Sequence, residues 1–263
     1  MWKKNSSLTR GDIKKIPKSF DVVGDIIIFS EFPEYLEKKE KLVGRYLINM
    51  FKNIKTVTKK TKFYSGKYRT PKLKVLAGDK SKETVHKENG VLLKVNPEKA
   101  YFSPRQGSER LRVAKLIKKG ESVLTMFSGI APFPLTISRH SEAKEIYGVE
   151  INPKAHDYAE ENIKLNKIKN IKLFKGDVAK VLPTINKKFD RILMPLPKSS
   201  EEFLDLALSK LKLNGTIYLY LFEKEENLSE LKKKYSKKFK INSIKAGSPS
   251  PGTYRYCLEM KKL

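Results

Sequence analysis

The sequence predicts an α/β protein: an open, mostly parallel sheet with helices between its strands, preceded by a smaller α+β module. Three observations predict it. From about residue 99 onward, short apolar runs of strand length alternate with stretches of helical periodicity, a pattern that implies parallel pairing through right-handed crossovers. Before residue 98, several short strand-like runs surround one helical stretch, which reads as a separate unit. Two further strand-like runs close the chain, joined by the Pro- and Gly-rich loop A-G-S-P-S-P-G.

In the first module, expected over residues 1–98, residues 21–29 (D-V-V-G-D-I-I-I-F) read as a strand pair. Residues 34–52 carry helical periodicity through Leu36, Leu42, Tyr46, Leu47 and Met50. Short strands follow at 56–58, 73–77, 83–88 and 91–95, the last two joined by an Asn89-Gly90 hairpin turn. In the second module, residues 99–263, strands are expected at 122–127, 145–150, 171–175, 189–194 and 216–222. Asn152 as N-cap and Pro153 as first helical residue open a helix running to about Asn166. A second amphipathic helix is expected over 199–212, closed by Asn214-Gly215, and the closing strands lie near 239–245 and 253–260. Five alternating units and a terminal hairpin predict a class I (Rossmann-like) methyltransferase sheet rather than a plain dinucleotide fold.

The bulk composition narrows the class of partner. The chain has 263 residues, 39% of them apolar, enough to fill an ordinary core. No apolar run reaches the length of a membrane span or a signal peptide, so a cytoplasmic protein without membrane contact is expected. His86, His140, His156 and the single Cys257 lack zinc-ligand spacing, and no metal is expected. Lys and Arg number 56 against 29 acids, a net charge of +27. Part of that excess fits a lysine-rich genome or surface ion pairing at high temperature. Its distribution points further: residues 52–82 hold Asp79 as their single acid, and Phe63, Tyr64 and Tyr68 interleave the basic stripe. Such a stripe suits RNA, through phosphate neutralisation and base stacking.

In an open parallel sheet, ligands sit beyond the carboxyl ends of the strands. The first strand ends in Phe127-Ser128-Gly129-Ile130-Ala131, the second in Glu150, the third leads to Gly176-Asp177-Val178, and the fourth to Met194-Pro195-Leu196-Pro197. Glu150 fits a carboxylate accepting both ribose hydroxyls, and Asp177 one accepting an adenine amino hydrogen. Only one glycine of a G-x-G-x-x-G pattern survives, so pyrophosphate has no glycine-lined approach, and S-adenosyl-L-methionine fits better than a dinucleotide. Enzymes that methylate exocyclic amines place Asn or Asp first in the fourth strand-end motif. Pro195 offers neither a side-chain acceptor nor an N–H, which argues against an exocyclic amine as target.

Four segments carry a resemblance: Y-F-S-P-R-Q-G-S-E-R at 101–110, T-M-F-S-G-I-A-P-F at 125–133, E-I-N-P at 150–153 and M-P-L-P at 194–197. They resemble the archaeal and eukaryotic tRNA (guanine-37-N1)-methyltransferase family from about Gly11 to the end. The resemblance implies methyl transfer from S-adenosyl-L-methionine to guanine N1 in the anticodon loop of tRNA, with tRNA-Phe as partner and a monomeric enzyme. It implies that Glu109 is the general base, that Arg105 helps hold the site, and that Arg69 contacts guanine O6. The expected cofactor contacts are Tyr101, Phe127, Gly129, Glu150, Ile151, Asp177, Val178 and Pro195. A base in a loop must unstack before its N1 edge can be reached, and Tyr64, Tyr68, Tyr101 and Phe102 are candidates to receive it.

The chain departs from the family at Thr125 (Asp), Ala131 (Gly), Glu150 (Asp) and Pro195 (Asn). The first two bear on the cofactor contacts. The last two resemble the archaeal branch that also methylates C7 of 4-demethylwyosine to give isowyosine. Two alternatives stand beside this reading: a relative transferring the aminocarboxypropyl group to the same tricyclic base, and a non-catalytic tRNA-binding module. The family usually carries a further amino-terminal domain, and the match here opens near Gly11. Recognition is therefore expected to depend on the anticodon stem-loop and the basic stripe.

Overall fold

A computed structural model describes residues 8–66, 68–195, 200–248 and 252–263, with the side chains of residues 63–65 left aside. Phe63 and Tyr64 as stacking side chains, Leu196 and Pro197 of the fourth strand-end loop, and part of the loop before the last strand lie outside the described residues. The chain forms two compact units: residues up to Glu88 with Leu92–Pro104, and Asn89–Val91 with Arg105–Leu263.

In the first unit, α1 (Arg10–Lys14) is opened by a capping box in which Thr9 and Asp12 bond each other's backbone amides. Strands β1 (Asp21–Val23) and β2 (Ile26–Phe29) form the expected pair. The helical stretch starts as a 3-10 turn, Glu34–Lys39, before settling into α2 (Glu40–Met50). Strands β3 (Thr56–Ser65) and β4 (Thr70–Gly78) complete a sheet of order β1-β2-β3-β4. Both are longer than hydrophobic periodicity indicated, because the outer half of the β3–β4 hairpin is T-K-K-T-K, held by backbone pairing and carrying no apolar face. Ile27, Phe29, Leu36, Val43, Leu47 and Val57 form this unit's core between α2 and the sheet. The expected hairpin β5 (Thr84–Glu88) and β6 (Val91–Val95) turns at Asn89 and Gly90, both left-handed, with φ of 48° and 70°.

The second unit runs α3 (Gly107–Leu116), β7 (Ser122–Met126), α4 (Pro132–His140), β8 (Glu145–Glu150), α5 (Pro153–Leu165), β9 (Ile171–Lys175), α6 (Val178–Thr184) and β10 (Phe189–Met194). It continues through α7 (Leu204–Ser209), β11 (Leu211–Lys224), α8 (Leu228–Tyr235), β12 (Phe239–Lys245) and β13 (Thr253–Lys262). The sheet order is β12-β13-β11-β10-β7-β8-β9. The five strands β7 to β11 pair in parallel, and β13 lies antiparallel to both β11 and β12. This is the class I methyltransferase sheet. Every residue of β7 is buried, as a strand covered on both faces requires. Leu124, Met126, Ile192 and Leu219 pack into one core, and Val123, Leu193 and Tyr220 into the other.

The expected helix over 199–212 is shorter. A 3-10 turn, Ser200–Phe203, leads into α7, and Leu211 already belongs to β11, opposite Phe189. Asn214, at φ 59°, therefore sits in a bulge of that strand instead of closing a helix. Turn chemistry at Asn-Gly serves a bulge as well as a helix cap, and tertiary pairing selects the bulge.

Candidate active site

Because β7 is the middle one of the five parallel strands and β8 and β10 flank it on opposite sides, the crevice of the fold opens beyond the carboxyl ends of β7, β8 and β10. The turn after β7 is tightly bent. Phe127, Gly129 and Ala131 have φ of 56°, 57° and 67°, a left-handed conformation that costs about 1–2 kcal/mol for each residue bearing a Cβ. Surrounding bonds hold it: the Ser128 amide donates to the Val149 carbonyl at 2.9 Å, and the buried Asn162 side chain donates to the Ile130 carbonyl at 3.2 Å. Gly148 in β8 leaves room beside this turn, since a Cβ there would lie 3.0 Å from Ser128 Oγ and 2.7 Å from Leu173.

Glu150 ends β8 and turns its carboxylate back onto that turn. Oε2 accepts the Gly129 amide at 2.7 Å and Oε1 accepts the Asn152 amide at 2.7 Å. Burial pushes its carboxyl above the ordinary range, against the pull of the backbone amides of Asn152, Gly129 and Ile151. Asp177 follows Gly176, whose amide donates to the Glu150 carbonyl at 2.8 Å. Its Oδ1 caps α6 by accepting the Ala179 amide at 2.9 Å. Val178 is buried beneath it, Ile151 is half-buried, and half-buried Phe127 meets Phe203 edge-on at 5.2 Å between ring centres.

On α3, Glu109 is 6% exposed and engaged on both oxygens. Arg112, one turn on, forks onto it with Nε to Oε2 at 2.7 Å and Nη2 to Oε1 at 2.8 Å. The Tyr220 hydroxyl of β11 donates to Oε1 at 2.6 Å. Arg112 also bonds Glu259 of β13 through Nη1. The Arg255 guanidinium lies 4.4 Å over the Tyr220 ring and donates to the Pro195 carbonyl at 3.3 Å. A continuous set of contacts thus joins the loop after β10 to Glu109.

Of the residues singled out from sequence, Arg105, Glu109, Phe127, Gly129, Glu150, Ile151, Asp177, Val178 and Pro195 all belong to the second unit. Arg69, in the turn between β3 and β4, and Tyr101 belong to the first unit. Sequence reasoning missed Arg112, Tyr220, Arg255 and Glu259. The signal was present in part: Arg112 is three residues from Glu109 on one helix, and strand alternation sets Arg255, Cys257 and Glu259 on one face of β13. Cys257 itself is buried, and burial pushes its thiol far above the usual range. Among the described residues, no helix is long and apolar enough to cross a membrane.

Residues 84–245 match the family model of the TRM5/TYW2 methyltransferase domain, and residues 5–81 match that of the TYW2 N-terminal domain. The chain is 40% identical over 234 residues to the tRNA (guanine(37)-N(1))-methyltransferase Trm5b of Pyrococcus abyssi, an alignment covering 86% of this chain and 69% of that protein. The crystal structure of wild-type Trm5b from Pyrococcus abyssi superposes with a TM-score of 0.83 at 35% identity, over 97% of this chain and 78% of that one. Identity to the tRNA (guanine(37)-N(1))/4-demethylwyosine(37)-methyltransferase Taw22 of Nanoarchaeum equitans is 30% over 258 residues, 79% of this chain and 85% of that protein. The aTrm5 chain in the complex structure of aTrm5 and tRNALeu superposes with a TM-score of 0.81 at 33% identity, over 96% of this chain and 74% of that one. Carried by both domain matches and by relatives that share most of its length, the chain belongs to the TRM5/TYW2 methyltransferase family.

Proposed function

We propose that this chain is a tRNA methyltransferase that uses S-adenosylmethionine to methylate N1 of guanosine 37 in the anticodon loop, and C7 of 4-demethylwyosine to give isowyosine. Its partner is tRNA-Phe, and it acts as a monomer. The observation that carries the reading is the pairing, within one unit, of a strand-end carboxylate turned onto a left-handed turn, Glu150 on Gly129, with the buried carboxylate of Glu109.

The residues present fit the cofactor. Glu150 Oε2 and Oε1 accept the Gly129 and Asn152 amides at 2.7 Å each, the Ile151 amide also bears on the carboxylate, and a carboxylate offers about four acceptor positions, so capacity remains for a ribose hydroxyl. Among the described residues only Oδ1 of Asp177 is engaged, by the α6 cap, which leaves Oδ2 for an amino hydrogen. Phe127, Ile151 and Val178 supply apolar surface for the adenine and Pro195 shapes the loop after β10, while Tyr101 is assigned to the cofactor by the family resemblance alone. When bound, S-adenosylmethionine supplies a methyl group on a cationic sulfur, and the carbon–sulfur bond breaks with both electrons remaining on sulfur.

Glu109 takes the N1 proton as the N1 lone pair forms the new bond to carbon. Deprotonation pushes negative charge onto O6, where the Arg69 guanidinium stabilises it as it develops, and Arg105 holds the base in place. Most of the remaining acceleration comes from placement of the extruded base. Pro195, with no side-chain donor or acceptor, leaves room for the larger tricyclic ring in the second methylation.

The test is incubation with labelled cofactor and two tRNA transcripts that differ only in guanosine or adenosine at position 37, followed by nucleoside analysis. Label as 1-methylguanosine from the first transcript alone is the expected outcome; equal label in both, or none, overturns the reading. The match of residues 5–81 to a TYW2 N-terminal domain gives one specific reason to keep aminocarboxypropyl transfer as a second reading. A tRNA carrying 4-demethylwyosine separates the two by product mass, a methyl against a four-carbon amino acid chain.

A further inference from the structure

The two oxygens of Glu109 are not equivalent. Oε1 accepts from Tyr220 at 2.6 Å and from Arg112 Nη2 at 2.8 Å, while among the described residues Oε2 accepts only from Arg112 Nε at 2.7 Å. A carboxylate oxygen has two acceptor positions, so Oε1 is filled and Oε2 keeps one. The groups around it are themselves fixed. Arg112 is held on its other side by Glu259, and the Tyr220 ring lies between the Arg255 guanidinium at 4.4 Å and Phe133 at 5.9 Å. Two carboxylates, Glu109 and Glu259, thus share the Arg112 guanidinium, and the Arg255 guanidinium covers the ring of the buried phenol that bonds Glu109.

We propose that Oε2 of Glu109 is the atom that receives the guanine N1 proton, and that Arg112 and Tyr220 are positioning residues that saturate Oε1 and aim Oε2. The proposal rests on the reading of Glu109 as the base. The N1–H bond breaks and its proton bonds to Oε2; the electron pair left on N1 forms the bond to the methyl carbon as that carbon's bond to sulfur breaks, its pair leaving with the sulfur. Tyr220 remains a donor throughout, since burial pushes its phenol well above the ordinary value, with Cys257 and Glu109 nearby adding to the shift. Arg112 cannot give up its charge, its pKa being raised first by the hydrogen bond to Glu109. Lys at position 112 would keep the charge and lose the fork, because an ammonium cannot hold two carboxylate oxygens in plane.

The experiment measures kcat and KM for a guanosine-37 transcript, and S-adenosylmethionine affinity by calorimetry, on the full chain. Tyr220→Phe is expected to lower kcat about 10- to 100-fold, the worth of a hydrogen bond to a charged group, with KM for tRNA and cofactor affinity within about twofold of wild type. Arg112→Lys is expected to lose at least as much. Since removing the fork could unfold α3, the Tyr220→Phe variant, which keeps the ring under Arg255, carries the test if Arg112→Lys does not fold. On a Glu109→Gln background, Tyr220→Phe should produce no further loss, because a residue acting through another has nothing left to position. Wild-type kcat in Tyr220→Phe, or an equal loss on both backgrounds, overturns the positioning role and leaves Glu109 as the base. Full activity in Glu109→Gln alone overturns the base reading itself, and this proposal with it.

Discussion

The Gly129 amide donates to Oε2 of Glu150 at 2.7 Å, tying the left-handed turn after β7 to the last residue of β8. That bond makes the carboxylate a brace for the turn, and under the proposed function the same group is the acceptor for the ribose. Because burial raises the pKa of Glu150, acidification neutralises it before it neutralises an ordinary surface glutamate. S-adenosylmethionine affinity is therefore expected to fall with decreasing pH from a point above the usual carboxylate range. Glu150→Gln should weaken binding about 10- to 100-fold at neutral pH and flatten that dependence. Calorimetry of both proteins across pH checks it; a wild-type affinity level down to the ordinary carboxylate range contradicts the assignment.

Arg69 sits in the β3–β4 turn at φ 49°, its amide bonded to the Gly66 carbonyl at 3.2 Å. A lysine can take the same backbone conformation at similar cost, so Arg69→Lys tests the head group alone. Stabilisation of charge developing on O6 belongs to the transition state. The variant should lose about 10- to 100-fold in kcat on guanosine 37 while cofactor affinity stays unchanged. Single-turnover rates at saturating tRNA provide the measurement, and an unaltered rate removes Arg69 from the chemistry.

How far the molecule was legible follows from where each signal is stored. Gly129, Glu150 and Asp177 could be read from sequence because strand–helix alternation places the residue after each parallel strand at the same edge of the sheet. The same alternation marked the core strands, whose residues are buried without a break in β7 and, after Glu145, in β8. The outer half of β3 was not legible, since T-K-K-T-K pairs through its backbone and buries no apolar face. Nor was the surround of Glu109: Tyr220 lies 111 residues away and meets it only once β11 and α3 pack into one core. Tyrosine and arginine in a terminal strand read equally well as ordinary packing until that contact is seen.

Asp190 at the start of β10 links three elements. Its Oδ2 accepts the Ser122 amide and hydroxyl, each at 2.8 Å, and the Lys212 ammonium at 2.8 Å. Burial alone would raise its pKa, but Lys212 and the two Ser122 donors outweigh it and the folded value is lowered. A depressed folded pKa contributes stability that is present above the unfolded value and lost as pH falls through it toward the folded one. Asp190→Ala leaves the buried Ser122 amide without its acceptor, at a cost of about 1–3 kcal/mol near neutrality. The difference in stability from wild type should shrink steadily on acidification below the ordinary aspartate value. Denaturant midpoints at neutral and acidic pH check the sign, and a gap that widens in acid would contradict it.

The charge of +27 gives the remaining prediction, and one groove gives it an address. Lys41 and Arg45 stand one turn apart on α2 and line, with Asn49 and the end of β4 at Leu76–Gly78, a groove of about 320 Å³. A groove of that kind accepts a phosphate through two cations on a rigid helix, and each phosphate neutralised displaces condensed counterions. The logarithm of affinity then falls with the logarithm of salt by roughly 0.7–0.9 per contact. Affinity for tRNA is expected to drop at least about 10³-fold between roughly 50 and 200 mM salt, as for a protein with six or more such contacts. Lys41→Ala with Arg45→Ala should weaken binding of all tRNAs alike and make the salt slope shallower by about two contacts, leaving cofactor affinity intact. Filter binding over a salt series measures both quantities. An unchanged slope in the double variant would show that these two cations face no phosphate, and a shallow slope in the wild type would mean that the excess charge serves something other than RNA.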